Sequence, residues 1–353
     1  MGAAHGLSVA VAAAVGRQHV GIAEIRVDRF HAGDRIGDEG RIRALVIRVA
    51  GGHVIGHVSD VPLQRPAHFG DRQFLTSEEI TAEQEQRLLR IGARGSVRSA
   101  EGVEALYNDN IWAENRSDID NVRTSLIVLP ENGRLPSVQA GINHQPGGER
   151  DVAGTRPVRF AVGGIGRTGP EDRGVSERCL VGFNNMPQLM PSVYNNNIQI
   201  VQNQDYVVIL SEMVHDARII PLHGAARLAD DIGLWSGDSR GRWEGSTLVI
   251  ETRNFNGLTQ SFAGYGSSRN KLLVERLTKA GPRSISYEYT ITDPDTFSEP
   301  VSVILPLTRV DAQLYEYACH EGNYGMANML KAARARDATA EMDRVADLFR
   351  DRQ

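Results

Sequence analysis

The stretch Ser284-Ile285-Ser286-Tyr287-Glu288-Tyr289-Thr290-Ile291 alternates polar and apolar side chains without a break. A strand turns successive residues to opposite faces, so this period of two predicts one dry face and one wet face. Val301, Val303, Leu305 and Leu307 repeat the pattern a short way downstream. Strands that follow one another without an intervening helix build an antiparallel sheet.

Upstream the signal continues. Tyr206 to Met213 (YVVILSEM) is apolar on both faces, as a buried central strand would be, and Ala217 to Leu222 continues or returns from it. Trp243 to Ile250 (WEGSTLVI) reads as a hairpin turning at Glu244 to Ser246. Residues 198–203 and 123–129 supply further strands. The fold expected over 123–323 is mainly β, an antiparallel barrel or sandwich with a lipocalin-like character and flanking N- and C-terminal helices. Small barrels of that kind hold one ligand in an apolar mouth.

Around this core the text changes. Thr76 and Glu79 have capping-box spacing, and Ile80, Gln84, Leu88 and Ile91 follow at helical intervals. A helix over 77–92 and a second over 99–110 make residues 61–122 a helical lead-in. The Gly- and Pro-rich 132–174 reads as a long irregular connection, and a helix from about Met326 to Arg350 occupies the 324–353 segment. Residues 1–60 contain no Lys, Pro, Thr, Asn, Tyr, Trp or Cys, yet hold five of the ten histidines. That vocabulary reads as a disordered segment or one foreign to the rest of the chain. The Ala-rich Met1 to Gly16 has the look of a secretory signal without its positive start.

The 353 residues carry 39 basic and 44 acidic side chains, a net charge of −5. No basic footprint exists to hold phosphate backbones, so nucleic acid is not an expected partner. The longest apolar run, Leu7 to Val15, falls short of the ~20 residues of a spanning helix, so no membrane partner is expected either. Only Lys271, Lys279 and Lys331 are lysines, which suggests a GC-rich genome. Cys179 and Cys319 are too few for a four-cysteine zinc site; they either pair, if the protein is exported, or stay as buried thiols.

Two literal motifs sit in the wrong context. Gly164 to Gly169 matches GxGxxG, but Pro170 and Gly174 follow where a dinucleotide site needs a helix, so it reads as a loop. Gly237-Asp238-Ser239-Arg240-Gly241 matches GxSxG, with Asp311 and His320 downstream. A hairpin follows it rather than a helix, which leaves Ser239 as a turn residue, with a nucleophile as the alternative.

Polar clusters at strand ends carry more chemistry. In Glu212 to Arg218 (EMVHDAR), period two puts His215 on the face of Val207, Ile209 and Met213, with Glu212 opposite. His215 is either a general base oriented by a carboxylate, or Asp216 and Arg218 merely close the sheet edge as an ion pair. Tyr315 to Tyr324 (YEYACHEGNY) repeats the pairing as His320 with Glu321. A shared rim would join two histidines and two carboxylates with Arg218 and Arg240; it would bind a metal or work metal-free beside an arginine that holds an anion. No HExxH-type spacing exists, and no metal or other cofactor is expected. Asn195 to Asn197 line a polar pocket or form a turn.

The segments RTSLIVLPENGRLP (123–136), SERCLVGFN (176–184), YNNNIQIVQ (194–202), EMVHDARIIPL (212–222), GDSRGRWEGSTLVIET (237–252) and YEYACHEGNYGM (315–326) together resemble a large family of uncharacterised, often exported bacterial proteins. The resemblance spans residues 62–335 and leaves 1–60 outside it. It implies an exported or periplasmic location over a cytoplasmic one, and it names no reaction. Because Cys179 and Cys319 each lie inside such a motif, the fold is expected to bring them together.

These readings lead to a metal-independent acid-base enzyme, a lyase, isomerase, cyclase or hydrolase, acting on a small, partly apolar carbonyl or carboxylate compound. His215 would be the base, Asp216 or Glu212 its orienting partner and His320 the acid. Arg218 or Arg240 would clamp the anion, with Asn196, Glu321 and Tyr324 also lining the substrate. The alternatives are a lipocalin-like binding protein without catalysis, and a serine- or metal-dependent hydrolase.

Overall fold

The computed structural model describes residues 8–11, 23–26, 43–49, 62–82, 123–144, 169–181, 197–258, 260–266, 268–309 and 314–350. It is mainly β. In chain order the strands are β1 (Ser8–Val11), β2 (Ala23–Arg26), β3 (Arg43–Val49), β4 (Ile127–Leu129), β5 (Asn197–Gln202), β6 (Tyr206–Ser211) and β7 (Ala217–Pro221). They continue as β8 (Asp238–Glu244), β9 (Thr247–Arg253), β10 (Gln260–Phe262), β11 (Tyr265–Gly266), β12 (Leu272–Lys279), β13 (Ser284–Thr292) and β14 (Val301–Arg309). A helix, Tyr324–Arg350, ends the described chain.

β1 with β2 and β10 with β11 form two small hairpins, and the other ten strands make one antiparallel sheet. Its order is β7-β6-β5-β3-β14-β13-β12-β9-β8, with β4 on β14. Within the compositionally distinct first sixty residues, β3 takes a place between β5 and β14.

The alternation in β13 does what period two requires. Tyr287, Tyr289 and Ile291 are buried, and the register sets Tyr287 between Leu277 and Leu305 and Tyr289 between Glu275 and Val303. Two inward rows result, Leu248-Leu277-Tyr287-Leu305 and Ile250-Glu275-Tyr289-Val303. β-branched and aromatic side chains fill these rows because they suit a pleated, half-buried surface. Fully burying each large apolar side chain contributes about 1.5–3 kcal/mol, so the rows dominate the stability of the sheet.

The sheet's two end strands approach each other. A side chain at Gly241 on β8 would begin 2.8 Å from Leu222 Cδ2 and 2.9 Å from Ile220 Cγ2, so only a glycine lets β8 lie this close to the end of β7. Among the described residues no ladder joins the two. The described residues therefore form no closed barrel.

The hairpin turns where expected, with Glu244 opposite Thr247 and Gly245 in the left-handed region. Ala217–Pro221 returns antiparallel to β6 rather than continuing it, and β6 itself ends at Ser211. The capping box forms, with Thr76 N donating to Glu79 Oε2 at 2.8 Å and Glu79 N donating to Thr76 Oγ1 at 3.3 Å. Residues 77–82 are helical; the rest of the 77–92 helix, the 99–110 helix and positions 164–168 of the GxGxxG stretch lie outside the described residues.

Candidate functional site

Two polar centres emerge, one where loops meet and one on the inner face of the sheet. At the first, the chain leaving β6 makes a tight turn over Met213–His215. Val214 and His215 both adopt left-handed backbone, φ 62° and 44°. A β-branched residue there is rare, and such positions cost of order 1–3 kcal/mol each unless the surroundings enforce them. The surroundings here are a small cluster. Met213 and Val214 pack on Cys179, with Tyr317 and Cys319 alongside, and Cys179 is also left-handed at φ 56°.

Cys179 and Cys319 form a disulfide, Cα to Cα 5.8 Å, which ties the 179 loop to the 315–323 segment. Glu212 Oε2 accepts a hydrogen bond from Tyr315 N at 3.2 Å. His215 Nδ1 lies 3.0 Å from the Tyr317 carbonyl, so Nδ1–H donates and Nε2 is left as the basic nitrogen. Glu212 and His215 thus meet the backbone of residues 315 and 317. Their side chains are arranged otherwise than period two implies, because two left-handed residues break the alternation: Met213 and Val214 are both buried and His215 is exposed. His320 and Glu321 are exposed, as is Tyr324, all in an irregular segment or at the helix start rather than at a strand end. Asp216 accepts from Ser236 Oγ at 3.3 Å.

Three expected roles need correction. Arg218 is no free anion clamp: its Nη1 and Nη2 donate to Glu275 Oε2 and Oε1 at 2.7 and 3.0 Å. Arg240 is spent on the Asp238 carboxylate and the carbonyls of Ala225, Ala226 and Ser239. Ser239 lies within β8, 3% exposed, sharing a 2.9 Å hydrogen bond with Thr252 Oγ1, so it lacks the exposed strand-to-helix turn of a serine nucleophile. Asn196 and Asp311 lie outside the described residues. Among the described residues no three His, Cys, Asp or Glu side chains are grouped to hold a metal ion.

The second centre went unread in the sequence. Register sets Ile209 opposite Arg218, which turns the guanidinium inward with the apolar face of β6. There it meets Glu275, 0% exposed, whose Oε1 also accepts the Tyr287 hydroxyl at 2.7 Å. Burial works to lower the pKa of Arg218, but the Glu275 charge and hydrogen bonds outweigh it and hold it charged. Burial, reinforced by Glu275, pushes the hydroxyls of Tyr287 and Tyr289 well above the usual phenol range.

Beside this network lies Lys271, 1% exposed, with Nζ 4.2 Å above the Phe255 ring. Its ammonium has no hydrogen-bond acceptor among the described residues. Ser211 Oγ and Arg218 Nε share that condition on the same inner face. The nearby Asp293 is already served by Ser268 N, Ser268 Oγ and Thr296 Oγ1 at 2.7–3.0 Å. Burial brings the Lys271 pKa down to about 8, against the opposing pull of Asp293 and Glu275. Strand parity was the available signal, since Lys271 shares the inward parity of Leu273, Glu275 and Leu277.

The buried ammonium has a stability signature. Between pH 8 and 10.5 the unfolded chain keeps a proton the folded chain has released, so folding gains stability as pH rises through that window. The gain from this group is at most about 3 kcal/mol. Denaturant titrations should show the wild type gaining on Lys271→Met between these pH values; a pH-independent difference would refute the burial.

No family model, no curated protein and no solved structure matches the chain.

Proposed function

We propose that this protein binds a small, partly apolar molecule on the inner face of its main sheet, a lipocalin-like use of a sheet that curls toward closure. One observation carries the reading. Ser211 Oγ, Arg218 Nε and Lys271 Nζ are buried donors without acceptors among the described residues, on a face where apolar rows surround the Arg218–Glu275–Tyr287 network. Each such group costs about 1–3 kcal/mol, a burden that a ligand with acceptor oxygens would remove. The commitment of Arg218 and Arg240 to carboxylates favours binding over an anion-clamping catalyst. The disulfide fits an exported protein, since such bonds persist in oxidising compartments. No helix among the described residues is long and apolar enough to cross a membrane.

A melt screen with medium-chain alcohols, aldehydes, ketones and acids tests the reading. A binder at a hundredfold excess over its Kd stabilises by about 2.7 kcal/mol, a shift of several degrees. A panel that leaves the melt unmoved and fails to displace a hydrophobic fluorescent probe would overturn it.

A second reading, acid-base catalysis at the loop junction, is favoured by the His215 geometry: Nδ1 is held by the Tyr317 carbonyl and Nε2 is left as a base. In that reading His320 supplies the acid, and the Tyr317 carbonyl takes the orienting role expected of Glu212 or Asp216. Compounds that shift the melt are then followed for conversion. Turnover lost in His215→Gln and His320→Gln with unchanged melts supports catalysis, and undiminished turnover sinks it.

A further inference from the structure

Lysine is scarce in this chain, three against 39 basic residues in all, and Lys279 and Lys331 are exposed. The third, Lys271, is buried, its Nζ over the Phe255 ring and without an acceptor among the described residues. The buried charges around it are already balanced. Arg218 and Lys271 are positive, Glu275 and Asp293 negative, and all four are at most 5% exposed. An anionic ligand would add an uncompensated charge in a desolvated interior, whereas a neutral one leaves the balance intact. The missing partner is therefore an uncharged acceptor, and the carbonyl oxygen of an aldehyde or ketone is one.

Carbonyl compounds also react with amines. We infer that Lys271 captures an uncharged aldehyde or ketone as an imine inside the sheet, an inference that rests on the binding reading above. The neutral amine attacks the carbonyl carbon and the C–N bond forms; the resulting carbinolamine loses its oxygen as water together with the two amine hydrogens, leaving C=N. No electrons are gained or lost. A proton on the imine nitrogen restores the positive charge of the ammonium, and Glu275 and Asp293 remain its counter-ions.

Accessibility of the neutral amine is what burial supplies. With a pKa of about 8, roughly a tenth of Lys271 is neutral at pH 7, against about one part in three thousand for an ordinary lysine. The Phe255 ring, 1% exposed and 4.2 Å from Nζ, gives the captured carbon an apolar surrounding.

Reductive trapping tests this on the full chain. Decanal with sodium cyanoborohydride at pH 7, followed by peptide mass mapping, should place a decyl group on Lys271 at least about tenfold more than on Lys279 or Lys331. The same treatment in urea should erase that preference. Lys271→Arg, which keeps the charge and removes the amine, should lose the adduct; should that variant fail to fold, the urea comparison on the wild type decides. Equal labelling of all three lysines in the folded protein would overturn the inference. Stabilisation by decanol without labelling of Lys271 by decanal would overturn the imine and leave the binding reading standing. Failure of decanol and decanal alike to move the melt would remove the binding reading itself.

Discussion

Glu275→Leu should destabilise the protein by about 3–5 kcal/mol, because it strands the Arg218 guanidinium in the sheet interior without its carboxylate. Both residues are shielded, Arg218 at 5% and Glu275 at 0% exposure, so solvent cannot replace the lost partner. The Tyr287 hydroxyl loses its acceptor in the same variant. Adding Arg218→Met and Tyr287→Phe should return most of the loss, since an apolar core of similar volume needs no counter-charge. Urea titrations with unchanged m-values would read both effects. A loss below about 1 kcal/mol for the single variant would mean that water reaches the pair.

The second large effect belongs to the disulfide. Cys179 and Cys319 are 140 residues apart, and in the chain-entropy model closing such a loop stabilises by about 5 kcal/mol. Cys179→Ala with Cys319→Ala, or reduction of the wild type, should lower stability by that order. The bond also holds the cluster that enforces the left-handed backbone of Val214 and His215. Its removal should therefore loosen the contact between His215 and the Tyr317 carbonyl before the sheet melts, seen as faster amide exchange over 212–216 than in β13. Matched exchange and a stability loss under about 1 kcal/mol would refute this role.

What could be read in the sequence was whatever one strand states about itself. The alternations of β13 and β14, the hairpin turn at Glu244 to Ser246 and the Thr76 capping box are local patterns, and each forms as expected. β12 is hidden in the sequence because LLVERLTK carries Glu275 at an inward position, where alternation expects an apolar side chain. Its justification lies on β7, 57 residues away in the chain, in a partner that no periodicity can reveal. Arg218 is disguised for the complementary reason: amid His215 and Asp216 it looks like part of a wet rim, and only the pairing with Ile209 shows that it points inward. At His215 strand parity does not hold, because Val214 and His215 depart from extended backbone. The pairing of the cysteines was expected through the family resemblance, since each sits inside a motif of its own.

The meeting of β7 and β8 has a consequence for behaviour in concentrated solution. Unpaired strand edges recruit other chains, and proteins blunt them with prolines, charges or cover. Here β7 ends in Pro221, which offers no N–H, β8 carries Arg240 and Arg242, and each edge shelters the other. Gly241 thus guards against self-association: a bulky residue there would prise the seam and uncover two sticky borders in one stroke.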